Sequence, residues 1–360
     1  MIQNTQLPCS HNSQQYLGHA TLDNSAALNA LNHPMAIALL EQVETWQADP
    51  NCVAILISGA GDKAFCAGGD VKYVTRRQPG ESDSDRIGRA NDYFECEYRL
   101  DETLHRSEKP VIVWGDGIVM GGGMGLLQGA SHRLVTERSL LSMPETAIGF
   151  FPDVGACWFL NRVSLGLGPM LGITGAHLSG PDAVFLNLAD ALIPSELFDR
   201  MLKALQQAEW FPEAKANQGV ASYTLGALGQ ATTQTQTSMA AQHQQTLTGL
   251  RDAPTLHHQV EGLKALAGHA NPWMQKLARN TAKGSPLSIA LADAHLRQHR
   301  FSSLHECFVA DTRLAARLVQ HPEFTEGVRA VLVDKDQQPK WTYPSVDQVP
   351  ESLIQEFTRA

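Results

Sequence analysis

Four short stretches of the chain, residues 16–22, 53–59, 111–115 and 133–136, are apolar and partly β-branched. Each has the length of a strand, and longer stretches with helical periodicity separate them, so the pattern predicts an α/β fold. Over residues 35–46, Met35, Leu39, Leu40, Val43 and Trp46 share one helical face, and over 91–105 Phe94, Tyr98, Leu100 and Leu104 do the same. Both helices are expected to cover a sheet. From about residue 160 the strand signals fade. Residues 226–249 are dense in Gln, Thr and Ala and read as a polar helical or mobile region. Residues 286–299 and 304–318 return to an apolar stripe that includes Leu287, Leu291, Leu296, Phe308 and Leu314. No repeat of 20 to 50 residues is visible.

Composition narrows the class. With 360 residues, 43% hydrophobic and 18% charged, the chain is an ordinary globular one. At that length roughly 75% of the unfolded surface is buried on folding, so no disulfide or structural metal is required. Cys9, Cys52, Cys66, Cys96, Cys157 and Cys307 are widely spaced, with no C-x-x-C pair, and are expected to be free thiols in a reducing compartment. Residues 1–15 hold no basic stretch followed by an apolar run, so no cleaved secretory signal is expected and the protein reads as cytoplasmic. Residues 111–130 approach the length of a membrane span but contain Asp116 and seven glycines, a poor membrane helix. A net charge of −9 disfavours nucleic acid and supplies no polybasic membrane patch.

Several chemistries lack their motifs. There is no G-x-S-x-G, no G-x-x-x-x-G-K-[ST] and no G-x-G-x-x-G. His295 and His299 lie four apart without the glutamate of H-E-x-x-H and read as a solvated helix face; His257 and His258 point to different faces. No metal is expected.

The chemistry that is present lies in three segments. Residues 53–59 lead into AFCAGGD (64–70), and residues 111–115 lead into a second glycine loop that includes Gly121, Gly122 and Gly123. Such loops bare backbone N–H groups, and a helix opening at 121–123 would aim its positive end at an anion. The third segment places Glu145 and Asp153 each directly after a proline in an apolar run, surroundings in which carboxylates are rare without a task.

AFCAGGD, GIVMGGGMGL (117–126), MPETAIGFFPDVG (143–155) and EGVRAVLVDKDQQPKW (326–341) resemble the crotonase (enoyl-CoA hydratase/isomerase) superfamily. Within it, the last two motifs are similar to those of the 3-hydroxyisobutyryl-CoA hydrolases. The resemblance implies an α/β fold, a crotonase-like spiral of repeated ββα units with C-terminal helices. It divides the chain into an N-terminal tail (1–15), a crotonase-like core with the acyl-CoA site (16–225) and a mostly helical C-terminal region (226–360). It implies an acyl-CoA substrate with CoA as part of it, no cofactor, no nucleic-acid or membrane partner, and leaves a homo-oligomer open.

The resemblance also assigns roles. Gly69 and Gly122 would supply the two N–H groups of an oxyanion hole, Glu145 would be nucleophile or general base, and Asp153 would orient the reacting group or protonate the leaving thiolate. Glu97 would contact the polar end of the acyl group; Glu95 and Glu97 both on a solvated helix face is the competing reading. A hydratase of this superfamily needs a second glutamate three residues after the oxyanion glycine, where this chain has Gly125. The expected reaction is therefore hydrolysis of a short 3-hydroxyacyl-CoA, foremost 3-hydroxyisobutyryl-CoA of valine breakdown. A hydratase or isomerase, and a binding protein that keeps the fold without the reaction, are the alternatives.

Overall fold

A computed structural model describes residues 1–230 and 237–359. Contacts divide the chain into two units. The first comprises Met1–Gly69, Arg99–Leu141 and Leu178–Ser238; the second comprises Asp70–Tyr98, Ser142–His177 and Met239–Ala360.

The first unit is built on a six-stranded sheet in the order β1-β2-β3-β5-β7-β10. Its strands are β1 (Ile2–Pro8), β2 (Tyr16–Leu22), β3 (Cys52–Gly59), β5 (Val111–Gly115), β7 (His132–Val135) and β10 (Ala191–Leu192). All neighbours pair in parallel except β1, which is antiparallel to β2. β3 is buried from Cys52 to Ser58 and β5 throughout, which explains their unbroken apolar runs: strands covered on both faces show no alternation. A smaller sheet, ordered β4-β6-β8-β9, is made of β4 (Ala64–Cys66), β6 (Ile118–Met120), β8 (Leu140–Ser142) and β9 (Leu178–Ser179). From β3 to β8 the chain repeats one move three times, a strand in the large sheet, then a three-residue strand in the small one.

Helix α1 (His33–Ala48) starts where the Asn32 side chain accepts the Met35 N–H at 3.0 Å, and it buries Met35, Leu39, Leu40, Val43 and Trp46, the face expected. The helix α2 (Val71–Thr75) and residues 83–98 of α3 (Asp83–His105) belong to the second unit, and residues 99–105 of α3 to the first. α4 (Gly122–Gly129) follows β6. Residues 111–130 are thus β5, β6 and α4, and among the described residues no helix is long and apolar enough to cross a membrane. All six cysteines are free.

Two expectations change, and a third is met in its helical form among the described residues. Residues 2–8 of the expected tail form β1, which pairs with β2 along its whole length; no residue of this edge strand is buried, so its mostly polar sequence shows no apolar alternation. Residues 178–225, and on to Ser238, group with the first unit, whereas residues 142–177 group with the C-terminal helices. The polar stretch 226–249 is helical up to Gln230 and again in Met239–Gln242 and Gln244–Arg251; its part at 231–236 lies outside the described residues.

Candidate active site

In the first unit, the glycine loops after β4 and β6 run side by side. The loop after β4 is pinned at both ends: the Ala67 N–H donates to the Leu28 carbonyl at 3.0 Å, and the Leu31 N–H donates to the Gly68 carbonyl at 2.9 Å. α4 opens from Gly121, whose φ of 48° is a left-handed value that an L side chain resists. Gly123 has no room for a side chain, since a Cβ there would lie 2.3 Å from the Cys66 carbonyl oxygen; one on Gly68 would lie 3.9 Å from the Gly122 nitrogen. Among the described residues neither the Gly69 nor the Gly122 N–H has a hydrogen-bond partner. The structure therefore brings Gly69 and Gly122 into neighbouring loops with two unspent donors, one at the positive end of a helix. Gly125 lies buried in α4, its N–H donating to the Gly121 carbonyl at 3.2 Å, and offers no side chain for acid–base work.

The second unit gathers the carboxyls. Glu97, Glu145 and Asp153 are 2%, 6% and 5% exposed. Glu95, by contrast, faces solvent, so the solvated-face reading holds for Glu95 and fails for Glu97. Glu97 accepts from the Tyr93 hydroxyl at 3.2 Å, and Asp153 accepts from the Tyr98 hydroxyl at 2.7 Å. Oε2 of Glu145 is buried without a partner. Aromatic rings make this an apolar environment: Phe150 stacks on Phe94 at 5.2 Å between centroids and meets Phe324 at 4.6 Å.

Local backbone geometry fixes both acidic segments. Glu145 opens a single 3-10 turn, Glu145–Ile148, that ends at Gly149 with φ 72°. A Cβ on Gly149 would meet the Glu323 carbonyl oxygen at 2.2 Å, and one on Gly327 would meet Ile148 at 2.2 Å, so the turn lies directly on the helix Pro322–Val328. This contact ties MPETAIG to the motif that begins at Glu326. After Asp153, Val154 and Gly155 are both left-handed, with φ of 53° and 78°. That region is a strained one for a β-branched valine, at a cost of roughly 1–3 kcal/mol. The Gly155 N–H donates to Asp311 Oδ2 at 2.8 Å, and a hydrogen bond to a charged group, worth about 1.5–3 kcal/mol, offsets that strain.

Burial sets the protonation. It pushes the Glu145 carboxyl well above the ordinary range, and the neighbouring Asp153 and Glu97 push the same way. Glu97 is raised for the same first reason and by Asp153 next. Asp153 is raised by burial to about 7, with Asp311 adding to the rise and the Tyr98 hydroxyl bond opposing it. Asp153 adds to the rise of Glu145, so the two titrate as a pair rather than one by one.

One histidine expectation is corrected. His295 is not on a solvated face: it is 2% exposed, and its Nε2–H donates to Asp311 Oδ1 at 2.7 Å. Cys157, His295 and Asp311 place donor atoms within 4.8 Å of one another, but both oxygens of Asp311 are already engaged, so the three form a hydrogen-bonded chain rather than a set of ligands. Tyr98 and Asp311 escaped the sequence reading. Tyr98 lies in an apolar stripe, which in the sequence reads as core. For Asp311 the signal was there: it lies three residues from both Phe308 and Leu314, on the apolar face of its helix.

The family model for enoyl-CoA hydratase/isomerase matches residues 17–358. Among curated relatives, the mitochondrial 3-hydroxyisobutyryl-CoA hydrolase of Gallus gallus is 33% identical over 339 residues, covering 94% of this chain and 85% of the relative. That of Homo sapiens is 32% identical over 335 residues, 93% of this chain and 84% of the relative. Of solved structures, an enoyl-CoA hydratase from Rhodobacter sphaeroides superposes with TM-score 0.83 at 27% identity, covering 99% of this chain and 97% of that one. A carnitinyl-CoA dehydratase from Mycobacterium thermoresistibile gives 0.81 at 28% identity over 96% and 94%.

Proposed function

Because the chain belongs to the enoyl-CoA hydratase/isomerase family, we propose that it works on an acyl-CoA, as an acyl-CoA thioester hydrolase of the kind its curated relatives are named for. The substrate we propose is a short 3-hydroxyacyl-CoA, 3-hydroxyisobutyryl-CoA first, which would place the enzyme in valine breakdown. The observation that carries hydrolysis over hydration is the pairing of Glu145 with Asp153 in one buried carboxyl cluster while Gly125 holds the place of the second glutamate.

In this reading the Gly69 and Gly122 N–H groups receive the oxygen of the thioester carbonyl as negative charge builds on it, each worth roughly 3 kcal/mol in the transition state. Glu145 acts as a carboxylate in one of two ways. It attacks the carbonyl carbon, giving a mixed anhydride that water then opens, or it takes a proton from the attacking water. Asp153, holding the one proton of the pair, gives it to the departing CoA thiolate. Glu97 accepts the hydroxyl of the acyl group. Water is the only co-reactant, CoA leaves as product, and no further cofactor is called for.

The test is thiol release from a panel of CoA esters, followed beside the loss of enoyl absorbance. Purified protein is expected to release CoA fastest from 3-hydroxyisobutyryl-CoA. Isobutyryl-CoA, which lacks the hydroxyl, should lose more than 3-hydroxypropionyl-CoA, which lacks the methyl. A site that hydrogen-bonds a hydroxyl rejects its absence by up to about 10⁴-fold, and a methyl is worth about 10 to 200-fold. Efficient hydration of crotonyl-CoA with no thiol release from any ester would replace hydrolysis with the hydratase reading.

A further inference from the structure

We infer that Asp311, held in turn by His295, is a positioning residue for Asp153, fixing the strained turn that follows it. The inference rests on the reading of Asp153 as the proton donor.

The argument starts from the backbone. Val154 and Gly155 are consecutive left-handed residues, and a conformation so rare for valine persists only where its surroundings over-determine it. The peptide between them is the one whose N–H donates to Asp311 Oδ2 at 2.8 Å. Asp311 is wholly buried on the helix Leu304–Leu318 and cannot drift, because Oδ1 accepts from His295 Nε2 at 2.7 Å across from the helix Pro286–Gln298. Phe308, one turn before Asp311, closes the other side: a Cβ on Gly155 would lie 3.0 Å from its ring. The turn is thus held by one carboxylate and one ring from the same helix, while Tyr98 from α3 holds the Asp153 carboxyl itself at 2.7 Å.

Asp311 touches no reacting atom in this arrangement. It acts through the Val154–Gly155 peptide and through its charge, which adds to the upward push on Asp153. The titratable groups around Asp153 are Tyr98 and Glu97 on α3, Glu145 on its own segment, and Asp311 with Cys157 and His295 behind it.

Four variants of the full-length protein test the inference: D311A, D311N, D153N and V154G. D311A is expected to lower kcat by about 10 to 100-fold, the cost of a small misplacement, with KM little changed. D311N keeps an oxygen for the Gly155 N–H and should retain most of kcat, while the limb of its pH profile set by Asp153 moves to lower pH because the neighbouring negative charge is gone. Combined with D153N, D311A should add little, since both act through one group. V154G, which relaxes the turn, should restore part of the kcat lost in D311A. Full additivity of D311A with D153N, or a D311N profile that does not move, overturns the inference; the second outcome decides it even if D311A fails to fold. If D153N is impaired and D311A is normal, this inference fails and the role of Asp153 stands. If D153N turns over normally, the role of Asp153 falls and takes the inference with it.

Discussion

The two candidate regions are made of opposite materials. The glycine loops of the first unit offer backbone N–H groups and almost no side chain, whereas the carboxyl cluster of the second unit offers only side chains. Donors on the main chain are placed by the fold itself: once β4, β6 and α4 form, Gly69 and Gly122 are where they are, and their charge is partial and permanent. Carboxyls must be forced out of water, and Glu97, Glu145 and Asp153 hold their protons because of it. The first region should therefore fail only when the backbone changes. The second should respond to chemistry at constant shape, and to pH.

The largest expected effect is chemical. Glu145→Gln keeps the shape of the turn and removes both charge and nucleophilicity, so turnover should fall on the order of 10⁴-fold while CoA-ester affinity is nearly kept. Single-turnover kinetics beside calorimetric titration separates the two, and near-normal turnover would sink Glu145 as the reacting group. Next comes the backbone. Gly122→Pro deletes the N–H that no side-chain substitution can reach, and a loss of about 10² to 10³-fold is expected. Circular dichroism must show a native spectrum; a folded Gly122→Pro protein with full activity removes this loop from the site.

Why the two regions were unequally legible follows from the same contrast. Glycine clusters after apolar strands are local signals, and Gly69 and Gly122 could be read directly, as could β3 and β5, each an almost unbroken apolar run. The ββ repeat itself was invisible, because its second strands, Ala64–Cys66, Ile118–Met120 and Leu140–Ser142, are three residues long and too short to show a period of two. In the second unit Glu145 and Asp153 stood out as charges in an apolar run. Their partners did not: Tyr98 lies 55 residues from Asp153, and Asp311 lies 156 from Gly155. Only folding brings such groups together: the apolar face marks Tyr98 and Asp311 as buried, and nothing in the sequence says against what.

An effect on rate of the same order tests the acid. Asp153→Asn retains a hydrogen bond but no acidic proton, and turnover should drop by about 10² to 10³-fold. The wild-type profile is expected to rise as the Glu145–Asp153 pair loses its first proton, at a pH above the ordinary carboxylate range, and to fall once the second leaves. In the variant the falling limb should disappear. An unchanged bell contradicts Asp153 as the donor.

The smallest effect is on stability, and it runs the other way. In the unfolded chain Asp153 titrates in the ordinary range near 3.9; in the folded protein burial raises it to about 7. The folded state therefore binds the proton more tightly, and this group lowers the stability of the fold as pH climbs from about 4 to about 7, after which the loss is constant. Three units of difference correspond to at most about 4 kcal/mol, less what coupling to Glu145 and Glu97 redistributes. Asn at position 153 is neutral at every pH and escapes the penalty. Asp153→Asn should melt a few degrees above wild type at pH 8 and level with it at pH 4.5, while Gly122→Pro, which touches no ionisable group, should show the same deficit at both. Thermal melts at the two pH values give the answer. Equal shifts for Asp153→Asn at pH 4.5 and pH 8 would show that the carboxyl is not held protonated by its surroundings, and the contrast between a region that stores charge cost and one that does not would collapse.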